Sequence, residues 1–334
     1  LSGATLGIWI LNLRKLYEKN IKFELIVSLF FITGLVVSTF LSRSNLEISF
    51  FGTYGRNTGA LTYFSLLIIF LGCLILVNYN AYRNIIYAAL AAGYVNVAYC
   101  SFILIVGRDP FPWKNPYNTF LGTLGNPDFI SAFLGILFSI SLPIILLSKI
   151  TTFRKLIFSL SFMLELYLIA ETNATQGFIV AAIGLIFFLF FCLRERFSRT
   201  IQYTYALIVM IISSLTVLGM LQIGPITKYV YKTSISLRGE YWNAGINMFE
   251  SSPIWGIGLD SYGDFYRKFR QPSSIILPGV DVTTDTAHNV LIDILAGGGI
   301  LLFVPYLILN IYAAYLAVKY IRGNQKLDSM FISI

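Results

Sequence analysis

Long apolar runs, separated by short polar segments, dominate the chain. Each run has the roughly 17–25 residues that an α-helix needs to cross the hydrocarbon core of a bilayer. The pattern therefore predicts an all-α polytopic membrane protein with about nine transmembrane helices. Because the chain starts at Leu1 without a Met, we expect it to be a fragment of a longer protein. The runs lie near residues 22–41, 57–77, 84–107, 128–148, 155–171, 175–193, 203–223 and 290–318, with residues 1–13 as the remnant of one more.

The composition agrees with a membrane location. Hydrophobic residues make up 57% of the chain and charged residues 12%, whereas about 25% of the residues in a typical soluble domain are charged. The cysteines Cys73, Cys100 and Cys192 lie inside apolar runs and form no Cys-x-x-Cys or Cys/His cluster. A single histidine cannot build the usual transition-metal ligand set. We therefore expect no disulfide, no metal and no cofactor.

The net charge of +8 could indicate nucleic-acid binding or the cytoplasmic loops of a membrane protein. The positions of the charges decide between these two explanations. Basic residues concentrate in alternate loops, as the positive-inside rule requires, so we place those loops in the cytoplasm and expect no nucleic-acid partner. The cytoplasmic loops contain Arg14, Lys15, Lys19, Lys22, Arg83, Lys149, Arg154, Lys155, Arg194, Arg196, Arg199, Lys319, Arg322 and Lys326, whereas the short opposite loops contain only Arg43, Arg56, Arg108 and Lys114.

This topology divides the chain into four parts: a helical bundle, a long extracytoplasmic loop, a last transmembrane helix and a cytoplasmic tail. Within the loop, residues Arg238 to Phe249 predict a short amphipathic helix, because apolar residues there follow three-four spacing. The apolar positions are Tyr241, Trp242, Gly245, Met248 and Phe249. The predicted parts are residues 1–223, 224–287, 288–320 and 321–334, respectively.

His288, the only histidine, closes the long loop just before the last span. It could cap or pack at the membrane boundary, or it could act as a general base, since an unperturbed imidazole has a pKa of about 6.5. Asp285 or Asp293 could orient the ring. Asp293 follows Asn289 by four residues and shares a helix face with it rather than with His288. We therefore prefer Asp285.

The predicted outer side also collects arginines and amides that could bind a substrate. Arg238 could lie among lipid headgroups, or its planar guanidinium could bind a phosphate in two hydrogen bonds. Arg56 permits the same two interpretations. Two outer arginines with one base suit a diphosphate-linked substrate. The candidate binding residues on this side are Arg56, Arg108, Asn126, Gln176, Trp242 and Asn289.

A transporter is the main alternative from another class. Gly297, Gly298 and Gly299 interrupt the last span, which could reflect either close helix packing by small residues or the broken helix of a transporter. Glu165 is the one acid well inside a predicted span, although intramembrane acids usually mark ion or proton paths. Transporters commonly have such breaks in two corresponding halves, and the earlier part of the chain has no matching break, so we rank transport second.

Several separated pieces resemble one family, the O-antigen ligases and polymerases. An Arg and a Trp precede a Pro-x-x-Gly-x-Gly turn in "LRGEYWNAGINMFESSPIWGIG", and a His-Asn pair opens the following helix in "AHNVLIDILAGGGILLF". The upstream stretches "FGTYGRNTGAL" and "GTLGNPDFISAFLGI" are similar to the family more loosely. In the motif that "TQGF" resembles, family members often have an Arg where this chain has Gln176.

This resemblance, which extends to protein O-oligosaccharyltransferases, implies a GT-C-like helical bundle and a metal-independent glycosyltransferase of polysaccharide biosynthesis. Such an enzyme moves a glycan from a polyprenyl diphosphate carrier to an acceptor hydroxyl on a glycan, lipid or protein, at the outer face of the cytoplasmic membrane. By motif, Arg238 would bind the donor diphosphate and His288 would activate the acceptor or help position it. An exporter or flippase of lipid-linked sugars, or a relative that has lost catalysis, remains the alternative.

Overall fold

The computed structural model describes residues 21–75, 79–112, 115–231, 233–276 and 278–322, and all regular structure within these ranges is helical. The remnant span predicted at residues 1–13 and nearly all of the predicted cytoplasmic tail lie outside them. We number the α-helices in chain order. They are α1 Lys22–Leu41, α2 Leu46–Phe51, α3 Ala60–Ile75, α4 Tyr79–Val106, α5 Pro127–Leu147, α6 Thr152–Glu171, α7 Gln176–Arg196, α8 Arg199–Met220, α9 Thr227–Val230, α10 Thr233–Ser251, α11 Tyr262–Phe269 and α12 Val290–Arg322, with 3-10 turns at Gly122–Leu124 and Pro272–Ile275.

All eight complete apolar runs form helices, but fewer of them meet the requirements for a membrane span. Six helices in the described part of the chain are long and apolar enough to cross a membrane: α1, α5, α7 and α8, and most of α4 and α12. Helix α3 has only 16 residues, and α6 is not among the six. The chain is thus a helical membrane protein, and the prediction of about nine spans is not supported.

The segment at residues 224–287 differs from the predicted loop, because helices α9, α10 and α11 occupy much of it. The predicted amphipathic helix lies inside the longer α10. Its buried face consists of Tyr241, Ala244 and Met248, as three-four spacing requires. Trp242, which we had placed on the apolar face, is 40% exposed. It lies about 100° around the helix from Tyr241, so both cannot point into one narrow contact.

The chain forms two compact units. Among the described residues, the first contains residues 21–75 and 215–322, and the second contains residues 79–214. In the second unit, α5 packs against α6 and α7 around Ile130, Leu134 and Leu168. Helices α5 and α7 approach closely, since a Cβ at Gly135 would lie 2.6 Å from the Gly177 carbonyl oxygen. In the first unit, α12 packs against α1 and α10.

Helix α12 is broken at Gly299, whose φ of 62° is non-helical and favours glycine. The turn that follows α10 supplies the hydrogen bonds that the break removes. The Ile300 N–H donates to the Pro253 carbonyl at 2.9 Å, and the Gly258 N–H donates to the Gly297 carbonyl at 3.0 Å. A Cβ at Gly256 would lie 2.3 Å from the Gly297 carbonyl oxygen. The glycines of both motifs therefore allow two backbones to pair within one unit.

Candidate active site

His288 lies immediately before α12, with its side chain exposed. Its φ of 53° is in the left-handed region, which is uncommon for residues other than glycine. Its backbone N–H donates to Thr286 Oγ1 at 3.2 Å. Its ring centroid is 5.7 Å from the centroid of the Tyr241 ring on α10. The imidazole is thus held at the junction of α10 and α12 while remaining accessible to a ligand.

Asp293, in the first turn of α12, fixes the segment that carries His288. Its Oδ2 accepts from Thr286 Oγ1 at 2.5 Å, and its Oδ1 accepts from the Ala287 N–H at 2.8 Å. Asn289 caps the same helix by accepting from the Leu291 N–H at 3.0 Å. A carboxylate near a helix N-terminus is favoured by the helix dipole. A chain of hydrogen bonds therefore runs from Asp293 through Thr286 to the backbone of His288.

Asp285, the acid that we preferred as the partner of His288, contacts Arg56 through its backbone. Its side chain is exposed, and its backbone carbonyl accepts from Arg56 Nη1 at 2.7 Å. Of the two candidate acids, Asp293 is the one whose carboxylate is bonded to the residues just before His288. Sequence spacing did not show these bonds, because an acid early in a helix can bond backwards to the preceding segment, as in a capping box.

Arg56 forms an ion pair with Asp260, with 3.1 Å between Nε and Oδ1. The side chain of Asp260 is 0% exposed, and its Oδ2 also accepts from the N–H groups of Thr53 and Thr58 at 2.8 and 3.1 Å. The charge of Arg56 is therefore partly balanced within the protein. This arginine joins the segment before α3 to the segments around Asp260 and Asp285, which suits a supporting role near the site.

Arg238 has the opposite environment. It is exposed on α10 and has no hydrogen-bond or ion-pair partner among the residues that the structure describes. It precedes Tyr241 by three residues, so the two side chains lie roughly 5–6 Å apart on one face of the helix. Because Tyr241 contacts the His288 ring, Arg238 lies about one helical turn from the histidine contact. Among the described residues, it is thus a cation without a paired anion, one turn along α10 from the residue that contacts the candidate base.

Tyrosines of α11 pack against the junction of α10 and α12. The Tyr262 hydroxyl donates to the Tyr241 carbonyl, and the rings of Tyr262 and Tyr266 are stacked with centroids 6.1 Å apart. Burial raises the pKa of both Tyr241 and Tyr262 above the usual value, so both phenols are neutral near pH 7. Their rings therefore pack against α10 and stabilise it, and they do not act as acids or bases.

The remaining predicted residues belong to the second unit. Arg108 is exposed just after α4. Asn126 caps α5, accepting from the Asp128 N–H at 2.8 Å, and its Nδ2 donates to the Tyr117 hydroxyl at 3.4 Å. Gln176 opens α7, and its Oε1 is buried without a hydrogen-bond partner among the described residues. The structure thus groups Arg56, Arg238, Trp242, Asp285, His288 and Asn289 in one unit, and Arg108, Asn126 and Gln176 in the other.

The described residues contain no group of three or more His, Cys, Asp or Glu side chains that could hold a metal ion. What the first unit offers instead is a cation, an imidazole and a set of backbone groups held in place by Asp293. Such a set can bind an anionic group through Arg238 and accept a proton at His288. Six candidate spans make this a multi-pass helical membrane protein. Its first unit holds a candidate site for an anionic substrate that reacts with a hydroxyl group.

Part of the chain also matches a known protein family. Residues 156–307 match the family model described as O-Antigen ligase, so this part of the chain is similar to that family. The match includes Arg238, Trp242 and His288, and so confirms the resemblance seen in the two C-terminal motifs. It does not extend to the upstream stretches around Arg56 and Asn126. No significant match was found among curated proteins or among solved structures.

Proposed function

We propose that this protein is a glycosyltransferase that moves a glycan from a polyprenyl diphosphate carrier to an acceptor hydroxyl at the outer face of the cytoplasmic membrane, without a metal. The main support is that the His288 ring lies 5.7 Å from the ring of Tyr241, one turn along α10 from Arg238, within the region that matches O-antigen ligases. Arg238 has no hydrogen-bond or ion-pair partner among the described residues. The proposed partners are the lipid-linked donor, a glycan, lipid or protein acceptor, and the bilayer.

In the proposed reaction, the neutral His288 imidazole takes the proton of the acceptor hydroxyl while its oxygen attacks the anomeric carbon. The bond from that carbon to the diphosphate breaks, and the carrier diphosphate leaves with the electron pair. Arg238 stabilises the negative charge that develops on this leaving group. Asp293 and Thr286 hold the backbone of His288 in its left-handed conformation, so they are positioning residues.

The remaining predicted binding residues receive more limited roles. Trp242 and Asn289 neighbour Arg238 and His288 in sequence and would contact the sugar or the carrier. Arg56 would contribute through its support of Asp285, whose role as an orienting acid gives way to that of Asp293. Arg108, Asn126 and Gln176, which lie in the second unit, stay candidate substrate-binding residues of that unit. Gln176 has an unpartnered acceptor oxygen that could bind a sugar hydroxyl, although it lacks the charge of the family arginine.

The test is transfer of labelled lipid-linked glycan by purified protein in proteoliposomes. His288→Asn is the sharpest variant, because Asn tolerates a left-handed φ better than Ala does. We expect it to lose roughly 10²- to 10⁴-fold in rate, the contribution of a general base. Arg238→Ala should lose about 10²- to 10³-fold. Arg267→Ala, which removes an exposed arginine from α11, is the matched control and should transfer at the parent rate.

Unchanged transfer by His288→Asn and Arg238→Ala, in folded protein, would refute this proposal. A second function, export or flipping of lipid-linked sugars, is favoured by one observation, the break of α12 at Gly299. The same vesicles separate the two functions, since a flippase moves labelled carrier between leaflets without forming a product on an acceptor. A relative without catalysis would do neither.

A further inference from the structure

Glu165 is a buried carboxylic acid in the middle of the second unit and takes no part in the proposed reaction. Its side chain is 0% exposed on α6, inside an apolar core that includes Leu137, Ile144 and Leu168. Its Oε1 accepts from Ser161 Oγ at 3.0 Å and from Ser141 Oγ of α5 at 3.4 Å. Its Oε2 is buried and has no hydrogen-bond partner among the described residues.

A second unpartnered oxygen lies in the same place. The hydroxyl of Tyr94 on α4 is buried and, in the described part of the chain, has no hydrogen-bond partner of acceptable geometry. It is nevertheless near enough to interact with Ser141, Ser161 and Glu165. Oxygens from α4, α5 and α6 therefore converge on one point, and two of them lack a partner there.

The chemistry of the oxygens on these four side chains limits what could lie between them. A carboxylate without a counter-ion is costly inside a membrane protein. A water molecule could bridge the two unpartnered oxygens but could not balance the charge. No Lys or Arg is ion-paired with Glu165 among the described residues. Carboxylate and hydroxyl oxygens are hard ligands that suit a hard cation rather than a soft one. One carboxylate balances one positive charge.

We propose that Glu165, Ser141, Ser161 and Tyr94 form a binding site for one small monovalent cation, either Na⁺ or a proton. With Na⁺, the four oxygens would be ligands. With a proton on Oε2, the acid would donate to the Tyr94 hydroxyl. Tyr94 is the titratable group that faces Glu165 from α4, and α5 contributes the non-titrating Ser141. This site is separate from the proposed glycan transfer and does not depend on it.

The experiment uses the purified full chain in detergent, with NaCl replaced stepwise by choline chloride at constant ionic strength. Carbodiimide, which reacts with protonated carboxyls in apolar surroundings, is added between pH 5 and pH 9, and labelling at Glu165 is read by peptide mass spectrometry. We expect labelling to fall as pH rises. If Na⁺ is a ligand, NaCl should also suppress labelling and raise Tm by a few degrees through preferential binding to the folded state.

Three variants control the result. Glu165→Gln should abolish labelling and any Na⁺-dependent shift in Tm, whereas Glu171→Gln, which changes an exposed acid on the same helix, should retain both. If Glu165→Gln fails to fold, Ser161→Ala serves instead, because loss of one hydrogen bond to a charged group should weaken Na⁺ protection about tenfold or more.

Suppression by Na⁺ identifies a sodium site. Labelling that depends on pH but not on Na⁺ identifies a proton site. Labelling that is constant from pH 5 to pH 9 and insensitive to Na⁺ would overturn the proposal, because it would show a permanently neutral acid. Complete absence of labelling at every pH, in protein whose other buried carboxyls react, would overturn it equally.

Discussion

Two carboxylates lie on apolar helices of this protein, and their environments differ. Both Asp293 oxygens accept hydrogen bonds from the segment that precedes α12, so the carboxylate is satisfied by the protein. Glu165 has one satisfied oxygen and one unpartnered oxygen deep in the second unit. A satisfied carboxylate holds structure in place, whereas a half-satisfied one leaves room for a ligand. The sequence alone separated them only by position, with Glu165 well inside a predicted span and Asp293 near the start of one.

Of the substitutions that test this difference, the one at Asp293 should have the largest effect on stability and transfer. In Asp293→Leu, the Ala287 N–H and the Thr286 hydroxyl lose their acceptor, and the free energy of unfolding should fall by about 2–4 kcal/mol. The transfer rate should fall by about 10²-fold, because the backbone of His288 is no longer fixed. Paired thermal denaturation and transfer assays in proteoliposomes measure both quantities.

Asp285→Asn is the control for that measurement, since the Asp285 side chain is exposed and its carbonyl, which Arg56 binds, is retained. We expect a change in stability within about 0.5 kcal/mol and parent-like transfer. A stronger loss of transfer in Asp285→Asn than in Asp293→Leu would restore Asp285 as the acid that orients His288.

Thr286 should give a smaller effect in the same direction. Thr286→Ala removes the hydroxyl that joins Asp293 to the His288 N–H, and should cost about 1–2 kcal/mol of stability. Thr286→Ser keeps the hydroxyl and should recover most of both stability and transfer. If Ser does no better than Ala, the methyl group rather than the hydrogen bonds accounts for the effect.

The smallest expected effect is at Glu165. In choline chloride, Glu165→Leu should change the free energy of unfolding by no more than about 1 kcal/mol, and could raise it, because a poorly satisfied buried acid is replaced by an apolar side chain. If Na⁺ is the ligand, the parent should become the more stable protein in NaCl. Denaturation in the two salts makes the comparison, and a large loss in choline chloride would mean that Glu165 is as structural as Asp293.

Much of the fold follows from hydrophobic patterning. Each of the eight complete apolar runs forms a helix, with bounds close to those predicted, because a chain in hydrocarbon must satisfy its own backbone hydrogen bonds. The segment at residues 224–287 was harder to predict. Its helices are short or rich in polar residues, so hydrophobic length did not reveal them, and only part of α10 showed a clear three-four pattern.

The candidate site was partly accessible from motifs. His288 and Arg238 stood out because uncommon residues at motif spacing can be read along the chain. The pairing of Arg56 with Asp260 could not be read in this way, since 204 positions separate them and no pattern specifies which outer cation meets which acid. The glycines of the last span indicated a break in the helix. They did not indicate that the turn at Pro253 to Gly258 supplies the missing hydrogen bonds.

The sequence by itself determined that this is a helical membrane protein with two C-terminal motifs similar to O-antigen ligases, and it singled out His288 and Arg238 as candidate site residues. Only the tertiary structure showed that Asp293 is bonded to the residues just before His288, that Arg56 is paired with Asp260, and how the broken helix is completed. The reason is physical. Helix formation in an apolar medium depends on local composition, whereas hydrogen bonds and ion pairs between distant segments depend on backbone paths that local composition does not encode.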